Sequence, residues 1–192
     1  MTHGKPWRCF VAVDLGDDLR RSLGAAMAEW RKDPHTGGLR WVEPEALHLT
    51  LAFLGSVEPD AVGRIGEQVE AVAARHAETA RSTGRLGAFA RPGSARVLWY
   101  AVNDADGALA AIGTDLHGAL ELAQTEPSRP HITLARARRG SVDLRAWIEA
   151  ASAAAPVGTL AVRDLHLKRS HLGGGPARYE TLASFPLGGR PA

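Results

Sequence analysis

The sequence predicts two lobes of similar construction, each mixing strands and helices, packed into one unit. Three observations lead there. The hydropathy pattern reads β-α-β-α-β-β-α-β-α-β-β. The order from the first strand to a hairpin near residue 100 is echoed from that hairpin to the C-terminus. The segment His48-Leu49-Thr50-Leu51-Ala52 returns as His131-Ile132-Thr133-Leu134-Ala135, each copy in the strand that follows a helix.

Each element has a local cause. Trp7 to Leu15 contains the apolar run FVAV and reads as a buried strand. A helix follows, capped by Asp17 or Asp18, with Leu19, Leu23, Met27 and Trp30 on one face until Asp33-Pro34 ends the pattern. Leu47 to Leu54 alternates apolar Leu47, Leu49, Leu51 and Phe53 with His48, Thr50 and Ala52, which is strand periodicity. Pro59 opens a second helix striped by Val62, Ile65, Val69 and Val72. Arg85 to Ala90 and Ala95 to Val102 are strands around the turn Arg91-Pro92-Gly93-Ser94. Leu109, Ile112, Leu116 and Leu120 mark a third helix, and His131 to Ala137 is the strand after Pro127 and Pro130. Leu144, Trp147, Ile148 and Ala151 give a fourth helix, and strands at Thr159 to Leu167 and Arg178 to Phe185 flank a loop from Ser170 to Pro176.

With 192 residues, 45% apolar and 23% charged, the chain buries a substantial core and is not a disordered segment. No Gly/Pro/Ser-rich linker divides it and neither half would be secure alone, so residues 1–192 are read as one domain of two intertwined lobes. The single cysteine, Cys9, excludes a disulfide framework and a cysteine-based zinc module. The N-terminus shows no signal-peptide pattern and no run of 18 apolar residues occurs, which points to a reducing, cytoplasmic setting without membrane insertion. The 20 Arg against 3 Lys suit a phosphate-bearing partner, although 34 Ala beside them also reflect a GC-rich genome.

The repeated segment carries the chemistry. Residues i and i+2 of a strand share a face, about 6.6 Å apart, so each His lies beside its own Thr. The intervening Leu49, Leu51, Ile132 and Leu134 turn to a core, and Ala52 and Ala135 leave space. Two lobes face to face bring two imidazoles and two hydroxyls around one cleft. In-line displacement at phosphorus requires a base for the attacking oxygen and an acid for the leaving oxygen. Two histidines meet both needs near neutral pH, and two threonine hydroxyls can hold the non-bridging oxygens without a metal. The near-equivalence of the two segments leaves open which histidine is acid and which is base.

These residues resemble the 2H phosphoesterase superfamily, and most closely its RNA 2′,3′-cyclic phosphodiesterases, also called LigT-like proteins or 2′-5′ RNA ligases. The resemblance rests on Arg8-Cys9-Phe10-Val11-Ala12-Val13-Asp14-Leu15, Arg40-Trp41-Val42, Leu47 to Gly55, Pro130 to Arg136, Arg178-Tyr179-Glu180 and Phe185-Pro186-Leu187, nearly the whole chain. It implies a bilobal α+β fold, with mostly antiparallel sheets, helices outside and the two H-x-T segments facing across a central cleft. It also implies hydrolysis of RNA 2′,3′-cyclic phosphate ends, those of tRNA fragments among them, to 2′-phosphomonoesters. His48 is then the proton donor to the 3′ oxygen and His131 the proton acceptor from water. Thr50 and Thr133 bind the phosphate, and neither a cofactor nor an obligate protein partner is expected. Rival readings are 2′-5′ RNA ligation, a cyclic phosphodiesterase for a small nucleotide, and an RNA-end-binding module without turnover. Two matched acid/base candidates disfavour the last.

Other residues carry less. Arg136 would hold the phosphate only if a bulge or the strand end turned it from the face opposite His131. The alternative is a surface cluster with Arg138 and Arg139 that guides the RNA backbone. Phe53, Trp41 and Tyr179 are of the type that stacks on a base, but packing is the favoured reading for each. Arg40 is a weaker candidate for the cleft rim. His166 and His171 have no recurring carboxylate at ligand spacing and read as a strand and a loop residue. Gly173-Gly174-Gly175 opens no helix, so it reads as a turn, not a phosphate cradle.

Overall fold

In the computed structural model, which describes residues 5–123, 129–171 and 177–188, the chain begins with β1 (Trp7–Asp14), whose residues Cys9 to Val13 are all buried. Then come α1 (Asp17–Trp30), β2 (Leu39–Trp41), β3 (His48–Val57), α2 (Val62–Ala73), β4 (Thr79–Phe89), β5 (Val97–Val102) and α3 (Ala108–Ala119). The second half adds β6 (His131–Ala137), α4 (Arg145–Ala153), β7 (Gly158–Val162), β8 (Asp164–His171) and β9 (Arg178–Pro186). Short 3₁₀ turns at Pro34–Thr36, Pro44–Ala46, Pro59–Ala61 and Pro92–Ser94 each start on a proline, whose fixed φ suits a helical first turn.

The fold is α+β, built on an antiparallel sheet of order β7-β4-β5-β6-β3-β1-β8-β9, with β2 added beside β6. One half, β3-β1-β8-β9, and the other, β6-β5-β4-β7, are related by a pseudo-twofold that exchanges β3 with β6 and β1 with β5. The halves meet at a single register pair, Leu49 opposite Ile132, and both side chains are fully buried. Two helices back each half. α2 packs on β8 and β9 and against α3, which also meets β3, whereas α1 packs on β7 and α4 on β4. Trp30 of α1 meets Trp147 of α4 edge-on, ring centroids 6.0 Å apart.

The lobes are not the two halves of the sequence. After the first H-x-T strand and its helix, β4 crosses to the other lobe to pair with β5. After the second, β8 crosses back to pair with β1. The stretch that reads as one strand from Thr159 to Leu167 therefore breaks at Arg163: β7 pairs with β4 and β8 with β1. A continuous apolar pattern conceals a change of partner.

Other elements also differ in detail. Gly16 occupies the N-cap of α1 without a side-chain hydrogen bond, and Asp17 and Asp18 lie in the first turn, where they meet the positive end of the helix dipole. β4 starts at Thr79, six residues before its apolar portion, because half-buried polar side chains such as Arg81, ion-paired with Asp106 at 2.8 Å, interrupt the alternation. β2 has three residues, too few for a period. Ser170 and His171 belong to β8, not to the following loop. Pro127, Gly173, Gly174 and Gly175 lie outside the described residues.

Gly87 of β4 sits opposite Trp99 of β5, and a Cβ there would come within 2.3 Å of the indole. Gly87→Ala is expected to cost about 1–3 kcal/mol, measured by chemical denaturation. Gly63→Ala on α2, where nothing lies within 4 Å, should be neutral or stabilising by up to about 1 kcal/mol. Equal effects at the two positions would contradict this packing.

Candidate active site

Antiparallel continuation of the Leu49–Ile132 register places His48 across from Thr133 and Thr50 across from His131. All four residues line one cleft of about 460 Å³. His48 Nδ1 lies 2.8 Å from the Ala46 carbonyl oxygen, and His131 Nδ1 lies 2.7 Å from that of Arg129. A carbonyl only accepts, so each Nδ1 carries the hydrogen and donates it. Each neutral imidazole therefore keeps Nε2 as a bare acceptor. The bond is made to residue i−2 in both copies, so the pseudo-symmetry extends to the tautomer.

Aromatic rings wall both imidazoles. His48 lies 4.9 Å from Phe10 and 4.9 Å from Tyr179, the latter edge-on. Phe89 stands edge-on to His131 at 4.8 Å, with Trp99 at 6.3 Å. Burial accordingly pushes the His48 pKa below its ordinary 6.5; the Ala46 bond and Asp14 oppose this, while the Lys168 and Arg136 cations reinforce it. Burial depresses His131 in the same way, with Arg129 opposing and Arg136 reinforcing.

Arg136 acts on both imidazoles because a β-bulge turns it into the cleft. Trp99 pairs with Thr133 but Leu98 pairs with Ala135, so Leu134 is an extra residue and the alternation resets. Leu134 and Ala135 are both buried and Arg136 is exposed and lines the cleft. β3 carries the matching bulge: Ala12 pairs with Thr50 and Val11 with Ala52, leaving Leu51 extra. The residue delivered there is Phe53, 69% exposed and also lining the cleft. The packing role favoured for Phe53 from sequence is thus corrected. Tyr179 lines the cleft against His48, and Trp41 stacks on Trp30 at 6.5 Å, consistent with packing.

Asp14 is the β1 partner of His48, and Lys168 reaches it from β8 with two contacts of 2.7 Å. This pair lies 154 positions apart in the chain, and no sequence signal links it. His166 Nδ1 lies 2.8 Å from Ser184 Oγ, and Asp14 is 4.0 Å from its Nε2; His171 Nε2 lies 2.9 Å from Glu180. Each thus has a carboxylate neighbour from another strand, which linear spacing does not reveal. Among the described residues, no three His, Cys, Asp or Glu side chains gather as a metal-holding group.

A two-lobed α+β sheet with one H-x-T strand from each lobe at a shared cleft is the architecture of a 2H phosphoesterase. The family model described as LigT-like phosphoesterase matches residues 13–99. The RNA 2′,3′-cyclic phosphodiesterase of Archaeoglobus fulgidus is 31% identical over 181 residues, covering 93% of this chain and 99% of the relative. The protein of that name from Geobacillus stearothermophilus is 35% identical over 187 residues, which are 95% of this chain and 58% of the longer relative. Among solved structures, TT0787 of Thermus thermophilus superposes with a TM-score of 0.73 at 25% identity, covering 95% of this chain and 98% of its own. Escherichia coli LigT complexed with 3′-AMP gives 0.72 at 25% identity, with 95% and 99% covered. The chain belongs to the LigT-like phosphoesterase family.

Both depressed imidazoles are neutral at pH 7 to 8, and a bound oxyanion favours their protonated form. Sulfate keeps its charge across this range, so its affinity should rise as pH falls from about 8 to about 5.5, by up to about tenfold per pH unit while one proton is taken up. Isothermal calorimetry in buffers of different ionisation enthalpy measures that proton; pH-independent binding would contradict the assignment. Without an anion the sign reverses. Unfolded imidazoles titrating at 6.5 bind protons more readily than the folded ones, so their contribution to stability is complete above pH 6.5 and is lost as pH falls through the folded values.

Proposed function

We propose that this protein hydrolyses RNA 2′,3′-cyclic phosphate ends to 2′-phosphomonoesters and free 3′ hydroxyls by two-histidine, metal-independent acid/base catalysis. The observation that carries the reading is the pair of bare Nε2 atoms. Each is fixed in tautomer by the backbone carbonyl two residues before it, just ahead of its strand, and each lies in the cleft across from a threonine of the other lobe. The curated relatives named as RNA 2′,3′-cyclic phosphodiesterases support the substrate class.

In this mechanism His131 Nε2 accepts a proton from water as the water oxygen bonds to phosphorus. The P–O3′ bond breaks, and protonated His48 gives its Nε2 proton to O3′. The resemblance to the family assigns these directions. His48 is depressed in the free protein, and the substrate's negative charge raises its proton affinity where the acid form is needed. Thr50 and Thr133 donate to the non-bridging oxygens: Thr36 and Thr83 commit their hydroxyls to carbonyls, whereas these two face the cleft. Arg136 offsets the charge that grows on the phosphoryl group. Phe53 offers an exposed ring for the terminal base. Residues 1–192 act as one unit because the cleft requires a strand from each lobe, and the single buried thiol of Cys9 suits a reducing cytoplasm.

An oligoribonucleotide ending in a 2′,3′-cyclic phosphate, incubated in excess EDTA, should yield only the 2′-phosphate. His48→Ala and His131→Ala should each lower kcat by about 10²- to 10⁴-fold. A 3′-phosphate product, dependence on a metal, or activity that survives either substitution would sink the proposal. The pH dependence of kcat/KM should be bell-shaped, with its acid limb below 6.5.

A further inference from the structure

A second concavity, of about 300 Å³, adjoins the cleft across β2. Val42 lines the cleft, while Arg40 and Trp41 line the neighbouring hollow. Arg40 pairs in register with Arg136, so the two side chains leave the sheet on one face, about 5 Å apart at their bases. Like charges directly opposed across a strand pair are unfavourable, and water or an anion must offset them. Arg138, two residues further along β6, also lines the hollow, and its Nε is fixed on the Leu39 carbonyl at 3.0 Å.

Among the described residues that line the hollow, only Arg31 has a carboxylate close by. Glu43 approaches Arg31 at 3.6 Å. Among the described residues, none of Arg40, Arg136 and Arg138 has a carboxylate within 4.0 Å. Among the described residues, three guanidinium groups without a carboxylate partner therefore run from the cleft into the hollow, where the one lining carboxylate, Glu43, faces Arg31. Arg40 is also felt at Tyr179, which lines the cleft against His48, where it opposes the upward push of burial on the phenol.

We propose that Arg40, assisted by Arg138, forms a second phosphate subsite that holds the phosphodiester one nucleotide upstream of the reacting end. This rests on the reading of the cleft given above and sharpens it: the substrate is the end of an RNA chain, not a free nucleotide. Arg136 faces the reacting phosphate and Arg40 its upstream neighbour, so the strand leaves along β2. A guanidinium fork suits both contacts.

The test compares a nucleoside 2′,3′-cyclic phosphate lacking a 5′ phosphate with the dinucleotide and tetranucleotide that carry the same cyclic end. Adding the first upstream phosphate should raise kcat/KM by about tenfold, chiefly through KM, with little gain from further nucleotides. Arg40→Ala should abolish that step and Arg40→Lys should retain part of it. The slope of log(kcat/KM) against log[salt] for the dinucleotide should fall by about 0.7 in Arg40→Ala, as for one lost single-strand phosphate contact. Equal rates on all three substrates with the unaltered protein would overturn the subsite, as would an Arg40→Ala loss of equal size on the mononucleotide. Absence of turnover on every cyclic phosphate would instead refute the reading of the cleft, which separates the two failures. Arg40 is exposed, so Arg40→Ala should keep its melting temperature, and a cooperative unfolding transition checks that the variant is folded.

Discussion

One antiparallel contact, Leu49 against Ile132, joins the two halves of the sheet and sets the distance between everything that faces the cleft. The two side chains are fully buried, each worth about 1.5–3 kcal/mol of apolar transfer, and they hold the two H-x-T strands where those strands overlap. Strand alternation does the rest. If Leu49 and Ile132 point into the core, His48, Thr50, His131 and Thr133 must point out of it together. Crossing of β4 and β8 between lobes locks this junction, because neither half of the sheet is complete without strands from both halves of the sequence.

Symmetry supplies the matched pair, and departures from symmetry make its members different. Both strands bulge at the residue that follows the threonine, yet one bulge presents Phe53 and the other Arg136. An apolar ring on one lobe and a cation on the other give a substrate a preferred orientation. The histidines differ in surroundings too. Asp14 and Lys168 flank His48 from β1 and β8, whereas Arg136 is the charged side chain that bears on His131. A part-buried ion pair of this kind is weak support for stability. Its consequence here is electrostatic, because it places opposed charges beside one imidazole and not the other.

Much of this was legible in the sequence. The repeated five-residue segment identified the four cleft residues, since a period of two leaves no freedom about which side chains share a face. The bulge requirement for Arg136 was also readable: alternation places it on the wrong face, and an inserted residue corrects that. What escaped has physical reasons. The break at Arg163 hides inside an apolar pattern because both successive partners demand buried strand residues. Exposure of Phe53 depends on the β3 bulge, which a ring among apolar neighbours does not announce. The Asp14–Lys168 pair and the Arg40–Arg136 register join residues that only the sheet topology brings together.

In the proposed mechanism two imidazoles of one tautomer share a cleft and adopt opposite protonation states when an oxyanion binds. Nitrogen-15 NMR of histidine-labelled protein with bound vanadate, read at about pH 7 and assigned through the single His48→Gln and His131→Gln variants, tests it most directly. Two cleft imidazoles should both start neutral with Nδ1–H, after which one becomes an imidazolium and the other stays neutral. Joint protonation, or an Nε2–H tautomer at either site in the free protein, would contradict it.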